Sequence, residues 1–185
     1  MRETTLRPLE PMRALPALVE DERDAPLGEG EIVVRPLGSA PRLALFFASV
    51  WEPFLLLDGK RLLAHEERRH RRTFTWLGRH LPVLHRALES ERVLFAELTE
   101  AGVVVVDVAS LDEEGAFLDH AAVRRMLGSQ LPMFAPFALL GPISSKNDLM
   151  GRLRAMYATG SRVEVRREDG GKVIGRRMVQ VGRGE

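Results

Sequence analysis

The chain has no cysteine, which excludes disulfides, thiolate-bound metals and a cysteine nucleophile, and suits a reducing compartment. Long apolar runs are missing too. The two longest, residues 43–51 and 131–143, are too short to cross a bilayer, and Pro132, Pro136 and Pro142 break the second. The opening residues, Met1 to Pro8, lack the continuous apolar region of a secretory signal. Charge of one sign is absent as well: 27 Lys and Arg face 26 Asp and Glu for a net charge of +1, so any basic surface must be local. Gly28-Glu29-Gly30 lacks the Lys-Ser/Thr of a phosphate loop, and no Gly-x-Ser-x-Gly turn marks a serine hydrolase. The five histidines, His65, His70, His80, His85 and His120, contain no i,i+4 pair with a carboxylate, so no metal site is expected. These absences predict a soluble cytoplasmic protein with no membrane span.

What is present suffices for one core: 185 residues with 45% hydrophobic content predict one domain. Residues 1–30, with Pro8, Pro11, Pro16, Pro26 and the acidic Glu20-Asp21-Glu22, read as an irregular arm, and the domain proper spans 31–185. Residues 31–35, 54–57, 61–65 and 72–76 are strand candidates from their branched, aromatic and Leu content. Leu81, Leu84, His85 and Leu88 fall at helical spacing and predict a helix over 79–88. Residues 92–98 and 103–109 flank Thr99-Glu100-Ala101-Gly102 and predict a hairpin. Asp119 is a cap for a helix running to Leu127, with Gly128 just past its end. Ser145-Lys146-Asn147-Asp148 resembles a capping box for a helix bearing Leu149, Met150, Leu153 and Tyr157 on one face. Residues 162–167 and 172–181 flank Glu168-Asp169-Gly170-Gly171, the clearest hairpin of the chain. Strands with helices at intervals predict an α+β fold of antiparallel sheets with packed helices.

Several short segments resemble, in order and spacing, the motifs of covalent nucleotidyltransferases, the superfamily of ATP-dependent DNA and RNA ligases and capping enzymes. Leu56-Leu57-Asp58-Gly59-Lys60-Arg61 is similar to the nucleophile motif Lys-x-Asp-Gly-x-Arg at Asp58, Gly59 and Arg61, but Leu56 holds the lysine position. Thr75-Trp76-Leu77-Gly78 resembles the family's Ser/Thr-Arg-x-Gly strand end, with Trp76 in place of arginine, and Leu81-Pro82-Val83-Leu84 its following Phe-Pro-Glu-Leu-like turn. Phe95-Ala96-Glu97-Leu98 keeps the glutamate of an Asp-Gly-Glu-Leu strand. Val104-Val105-Val106-Asp107 keeps the aspartate of a strand ending Phe-Asp. Ser161 to Arg166 is only faintly similar to Glu-Gly-x-Val-x-Lys/Arg, and Lys172-Val173-Ile174-Gly175-Arg176-Arg177 stands for the family's last basic strand.

The resemblance implies a ligase-like nucleotidyltransferase core that has lost its chemistry. The family's lysine amine attacks the α-phosphorus of ATP, and a leucine has no lone pair with which to do so. Ser161 removes a carboxylate from the cage that would hold a divalent metal, and Trp76 cannot replace a guanidinium fork. The implied catalytic set is therefore empty, with Lys60, or else Lys172, as the candidate for a displaced nucleophile. The implied nucleotide-binding set is Asp58, Arg61, Glu97, Asp107, Lys172, Arg176 and Arg177, with ATP and Mg as the cofactors such a core would take. The alternatives are an active ligase using a displaced lysine and a protein-interaction module that retains only the fold.

Basic residues concentrate in two segments. Residues 60–86 carry eight, among them Arg68, Arg69, Arg71, Arg72 and Arg79, against Glu66 and Glu67 alone, with Phe74 and Trp76 interleaved. Such a pattern is expected of a surface that follows a phosphate backbone and stacks bases, although a solvated face with its aromatics turned inward has the same composition. Residues 162–183 carry seven basic side chains against three acidic ones. A nucleotide, a nucleic-acid end or a protein is the expected partner.

Overall fold

The computed structural model describes residues 30–49, 52–111 and 116–182. The arm expected over residues 1–30 lies, apart from Gly30, outside them. The described chain has an α+β fold with two antiparallel sheets and three α-helices, and it divides into two compact units.

The first unit covers residues 40–135. Its strands are β2 (Arg42–Ser49), β3 (Glu52–Leu57), β4 (Lys60–Arg61), β5 (Arg92–Leu98) and β6 (Val103–Ser110), hydrogen-bonded in the order β4-β3-β2-β5-β6. Every neighbour is antiparallel, as expected where short turns join successive strands. Leu43, Leu45, Leu55, Leu94, Ala96, Val103 and Val105 point from one face into a buried cluster. Two helices supply the other half of that cluster: α1 (Arg71–Leu88) through Leu77, Leu84 and Leu88, and α2 (His120–Leu127) through Val123 and Leu127. The Asp119 carboxylate accepts the Ala122 N–H at 2.6 Å and so caps α2 as the sequence predicts. Thr99 and Gly102 exchange hydrogen bonds across the β5–β6 turn, and Gly102 has φ +142.

The second unit covers residues 30–39 and 136–182. Its strands β1 (Glu31–Pro36), β7 (Ala138–Leu139), β8 (Arg162–Asp169) and β9 (Lys172–Gln180) pair antiparallel in the order β7-β1-β8-β9. Helix α3 (Lys146–Met156) sets Leu149 and Leu153 against Ile32, Val34, Val163 and Val165. The Ser145 hydroxyl accepts the Asp148 N–H at 3.1 Å, the cap expected from the sequence. The β8–β9 hairpin turns on Gly170 and Gly171 with φ +57 and +81, values of a two-residue turn that glycine adopts at little cost.

Three expectations are corrected. Residues 72–76 are helical and belong to α1, which is one helix of 18 residues and not a strand followed by a helix. Phe74 and Trp76 alternate as in a strand, but Thr73, Leu77, Leu84 and Leu88 form the buried stripe, and burial along that 3.6-residue period decides the outcome. The Thr75-Trp76-Leu77-Gly78 and Leu81-Pro82-Val83-Leu84 segments therefore sit inside α1, neither at a strand end nor in a turn. Residues 61–65 form no strand beyond Arg61, because Ala64–Glu66 close a 3-10 turn whose Glu66 carboxylate accepts the Leu63 N–H at 2.9 Å. Residues 42–49, unassigned from sequence, are the middle strand of the first sheet.

A helix running through Pro82 lacks one i to i−4 hydrogen bond. Replacing Pro82 with Ala should therefore stabilise the protein by about 1–3 kcal/mol in urea unfolding. An unchanged or lowered stability would argue that α1 is interrupted at that residue.

Candidate functional site

The Asp58-Gly59 turn sets which way every side chain of β3 faces. Asp58 and Gly59 have φ +47 and +79, the pair of positive angles of a type I′ turn. Asp58 is tied to β2 in both directions: its N–H donates to the Arg42 carbonyl at 2.8 Å, and its Oδ1 accepts the Arg42 N–H at 2.9 Å. With this end pinned, Leu57 pairs with Lys60 and Leu56 with Arg61.

The two-residue period then separates the candidates. Leu56 is paired with Ala44 and Arg61, Ala44 with Phe95, and Phe95 with Asp107, giving one row across all five strands: Arg61, Leu56, Ala44, Phe95, Asp107. Arg42 and Glu97 form the next pair on the same face. This face lies opposite the one that packs against α1 and α2. Lys60, paired with Leu57, shares the helix-covered face and not that of Leu56. The middle of the row is buried, Leu56 at 4%, Phe95 at 5% and Asp107 at 0% exposure, whereas Asp58 and Arg61 are exposed and Glu97 is half-buried. The Arg61 guanidinium lies 3.6 Å above the Phe54 ring, which in turn stacks on Phe46 at 5.0 Å. That platform fixes the plane of an exposed fork whose N–H edges suit a phosphate or carboxylate.

Lys172, Arg176 and Arg177 belong to the second unit and do not act alike. Lys172 is exposed at the hairpin end of β9. Arg177 pairs with Val165 on the face of the apolar cluster, and Arg176 pairs with Arg166 on the other. On that other face Glu164 is the centre of a buried ionic group. Its carboxylate accepts from Arg35 Nε at 2.6 Å and from Arg166 Nε at 2.8 Å, and Arg176 Nη1 lies 3.4 Å away. Arg166 and Arg35 also lie over the Phe137 ring, at 4.3 and 5.6 Å from its centroid. Glu164 and Arg35 escape sequence reasoning because 129 residues separate them. The available signal was Glu164 itself, a carboxylate between two valines on a strand, where an ionised group is costly unless paired.

Arg71, Arg72 and Arg79 lie exposed on α1, with Arg68 and Arg69 in the turn before it. Phe74 packs against the core, as does part of Trp76. Ser161, in the faintly similar segment, precedes β8 and donates its N–H to the Ala158 carbonyl at 3.0 Å.

The donor sets decide what each place could hold. Among the described residues no three of His, Asp and Glu gather as metal ligands, so they do not form a carboxylate cage for Mg. Leu56 cannot carry a nucleotide covalently, but the Arg61 fork fits non-covalent contact with a phosphate. No helix among the described residues is long and apolar enough to cross a membrane.

The fold is that of RNA-ligase nucleotidyltransferases. Among solved structures the chain is similar to an archaeal ATP-dependent RNA ligase, form 2, with TM-score 0.54 and 12% identity over 82% of this chain and 42% of that one. It is also similar to the Naegleria gruberi RNA ligase with PPi, with TM-score 0.50 and 11% identity over 81% of this chain and 51% of that one. The chain thus spans about half the length of these proteins or less, and at such identities the likeness shows the fold alone. No family model and no curated protein sequence matches the chain.

Burial pushes the Glu164 carboxyl up from its ordinary 4.5, but the charges of Arg166, Arg35 and Arg176 and the hydrogen bond from Arg166 outweigh it and hold the group at about 2. A carboxyl depressed by folding stabilises the native state above its unfolded value and loses that contribution as pH falls through the folded one. Stability should therefore drop between pH 4.5 and about 2. In Glu164→Gln that slope should shrink, and stability at neutral pH should fall by about 3–5 kcal/mol as the buried guanidiniums lose the charge of one shared partner. Denaturant titrations across that pH range check both.

Proposed function

We propose that residues 31–185 form a non-catalytic, ligase-like nucleotidyltransferase domain that binds a nucleotide or nucleic-acid end at the open rim of the Leu56 face. The observation that carries this reading is the row in which Leu56, Arg61 and Asp107 share one face of the five-stranded sheet. Leu56, Arg61 and Asp107, three of the motif positions named from sequence, thus share one face, and Leu56, at the position that resembles the seat of the reactive amine, is a buried alkyl group. The Lys60 ammonium is no substitute, since strand alternation turns it to the opposite face. Arg61 is the chief phosphate contact, with Asp58 at the adjoining turn and Glu97, three strands away on the same face, as acceptors for ribose or base. The lack of cysteine accords with a cytoplasmic setting.

A second reading has its own support. The near-complete burial of Leu56, Phe95 and Asp107 favours a domain that has kept the fold and given the face over to packing. One pair of measurements separates these readings from an active ligase. Incubation with labelled ATP and Mg should leave no protein–AMP adduct, while free nucleotide at 100 times Kd should stabilise the chain by about 2.7 kcal/mol. Arg61→Ala should weaken binding by about 10- to 100-fold, and Arg61→Lys nearly as much because the fork is lost. A covalent adduct would establish the enzyme. Absence of nucleotide binding at low salt would leave the fold-only reading.

A further inference from the structure

Helix α1 carries two ladders of side chains at four-residue spacing, Arg71-Thr75-Arg79 and Arg72-Trp76-His80, which lie one above another on the helix surface. Both reach the same open cavity of 360 Å³, whose far wall is the β5–β6 turn with Pro132 and Met133. Its volume falls within the roughly 300–1,000 Å³ of small-molecule sites. Among the described residues the lining holds three guanidiniums and no carboxylate. Arg72 donates to the Glu100 carbonyl, which ties the helix to the turn and holds that wall in place. Trp76 is half-buried against the core, and its remaining surface lines the cavity with the His80 ring 5.7 Å away. Burial first, and Arg79 second, keep the His80 imidazole below its ordinary 6.5, so it adds a neutral ring to the wall.

Charge and aromatic surface thus meet in one concave place. Arg71 and Arg79 are exposed and eight residues apart on the helix, a rise of about 12 Å. That span reaches more than one phosphate of a strand whose charges repeat every ~3.4 Å along a duplex axis and further apart when unstacked. A protein ligand of acidic character would use the guanidiniums but would have no need of the indole between them. The cavity also lies on the helix-covered side of the sheet, away from Leu56, so it does not depend on the nucleotide reading above.

We propose that this cavity is a binding site for single-stranded nucleic acid, with phosphates on Arg71 and Arg79 and a base stacked on Trp76. Arg68 and Arg69, exposed just before the helix, extend the basic track along the strand.

The test uses the whole chain and a fluorescein-labelled oligo(dT) of about 12 nucleotides, the scale of a single-strand site, beside an abasic oligomer of equal length. Fluorescence anisotropy should show binding that weakens steeply between about 50 and 200 mM salt. The abasic oligomer should bind at least 5-fold more weakly, in line with the stacking of one base. Arg71→Ala with Arg79→Ala should weaken oligo(dT) at least 10-fold and lower the salt slope by about 2. Trp76→Leu should erase the difference between the oligomers, and Trp76→Phe should retain it, which guards against a variant that merely unfolds. Parent-like affinity in the folded arginine double variant would overturn the proposal. So would equal binding of the abasic oligomer, or of a poly-glutamate peptide, by the parent chain. Excess Mg-ATP should leave the oligomer bound, which keeps this outcome distinct from any failure at the Leu56 face.

Discussion

Everything assigned to the five-stranded sheet depends on the register of β3 against β2. In a strand the side chains alternate with period two, so a slip of one residue would send Leu56 into the helix-packed core and turn Leu55 and Leu57 outward. The Asp58-Gly59 turn prevents that slip. Its two positive φ angles match the right-handed twist of the hairpin, and Asp58 closes it with one backbone and one side-chain hydrogen bond to Arg42. Asp58 thus has a structural task sufficient to explain its presence. The ligase-like motif and the hairpin turn are one feature read at two levels.

That register gives physical content to the proposed lack of nucleotidyltransferase chemistry. A nucleophilic amine on this row would need access to solvent and a polar neighbourhood. Leu56 instead lies between Ala44 and Arg61 in the cross-strand row, with Phe95 one strand beyond Ala44, and is all but closed off. The second unit shows the opposite balance. There three guanidiniums crowd one carboxylate in a buried setting, where the desolvation of each ion has to be offset by close mutual contact. Arg61, stacked on Phe54, presents its fork to solvent.

Much of the fold was legible because it is written in local chemistry. The caps at Asp119 and Ser145, the glycine pair at 170 and 171, and the polar turn at 99–102 each work within a few residues. What escaped depended on distance or on burial from two sides. The strand at 42–49 is apolar on both faces, so it shows no alternation by which to recognise it. Phe74 and Trp76 mimic a strand until Thr73, Leu77 and Leu84 are seen to share a buried stripe. The candidate site divides in the same way. Leu56, Asp58 and Arg61 were legible as a short motif, while the Arg35–Glu164–Arg166 group arises from pairing of β1 with β8 across most of the chain. Trp76, read both as a lost arginine position and as an aromatic interleaved with the basic run, contributes to the wall of a cavity on α1.

The proposed place of contact between this chain and an unreacted nucleotide is the Leu56 face. A crystal structure of the chain with an adenine nucleotide tests it most directly. Intact nucleotide is expected with its phosphates on the Arg61 guanidinium, beside the row that runs through Leu56 and with no covalent bond to protein. Nucleotide bound on the helix-covered side near Lys60, or joined covalently to any lysine, would contradict it.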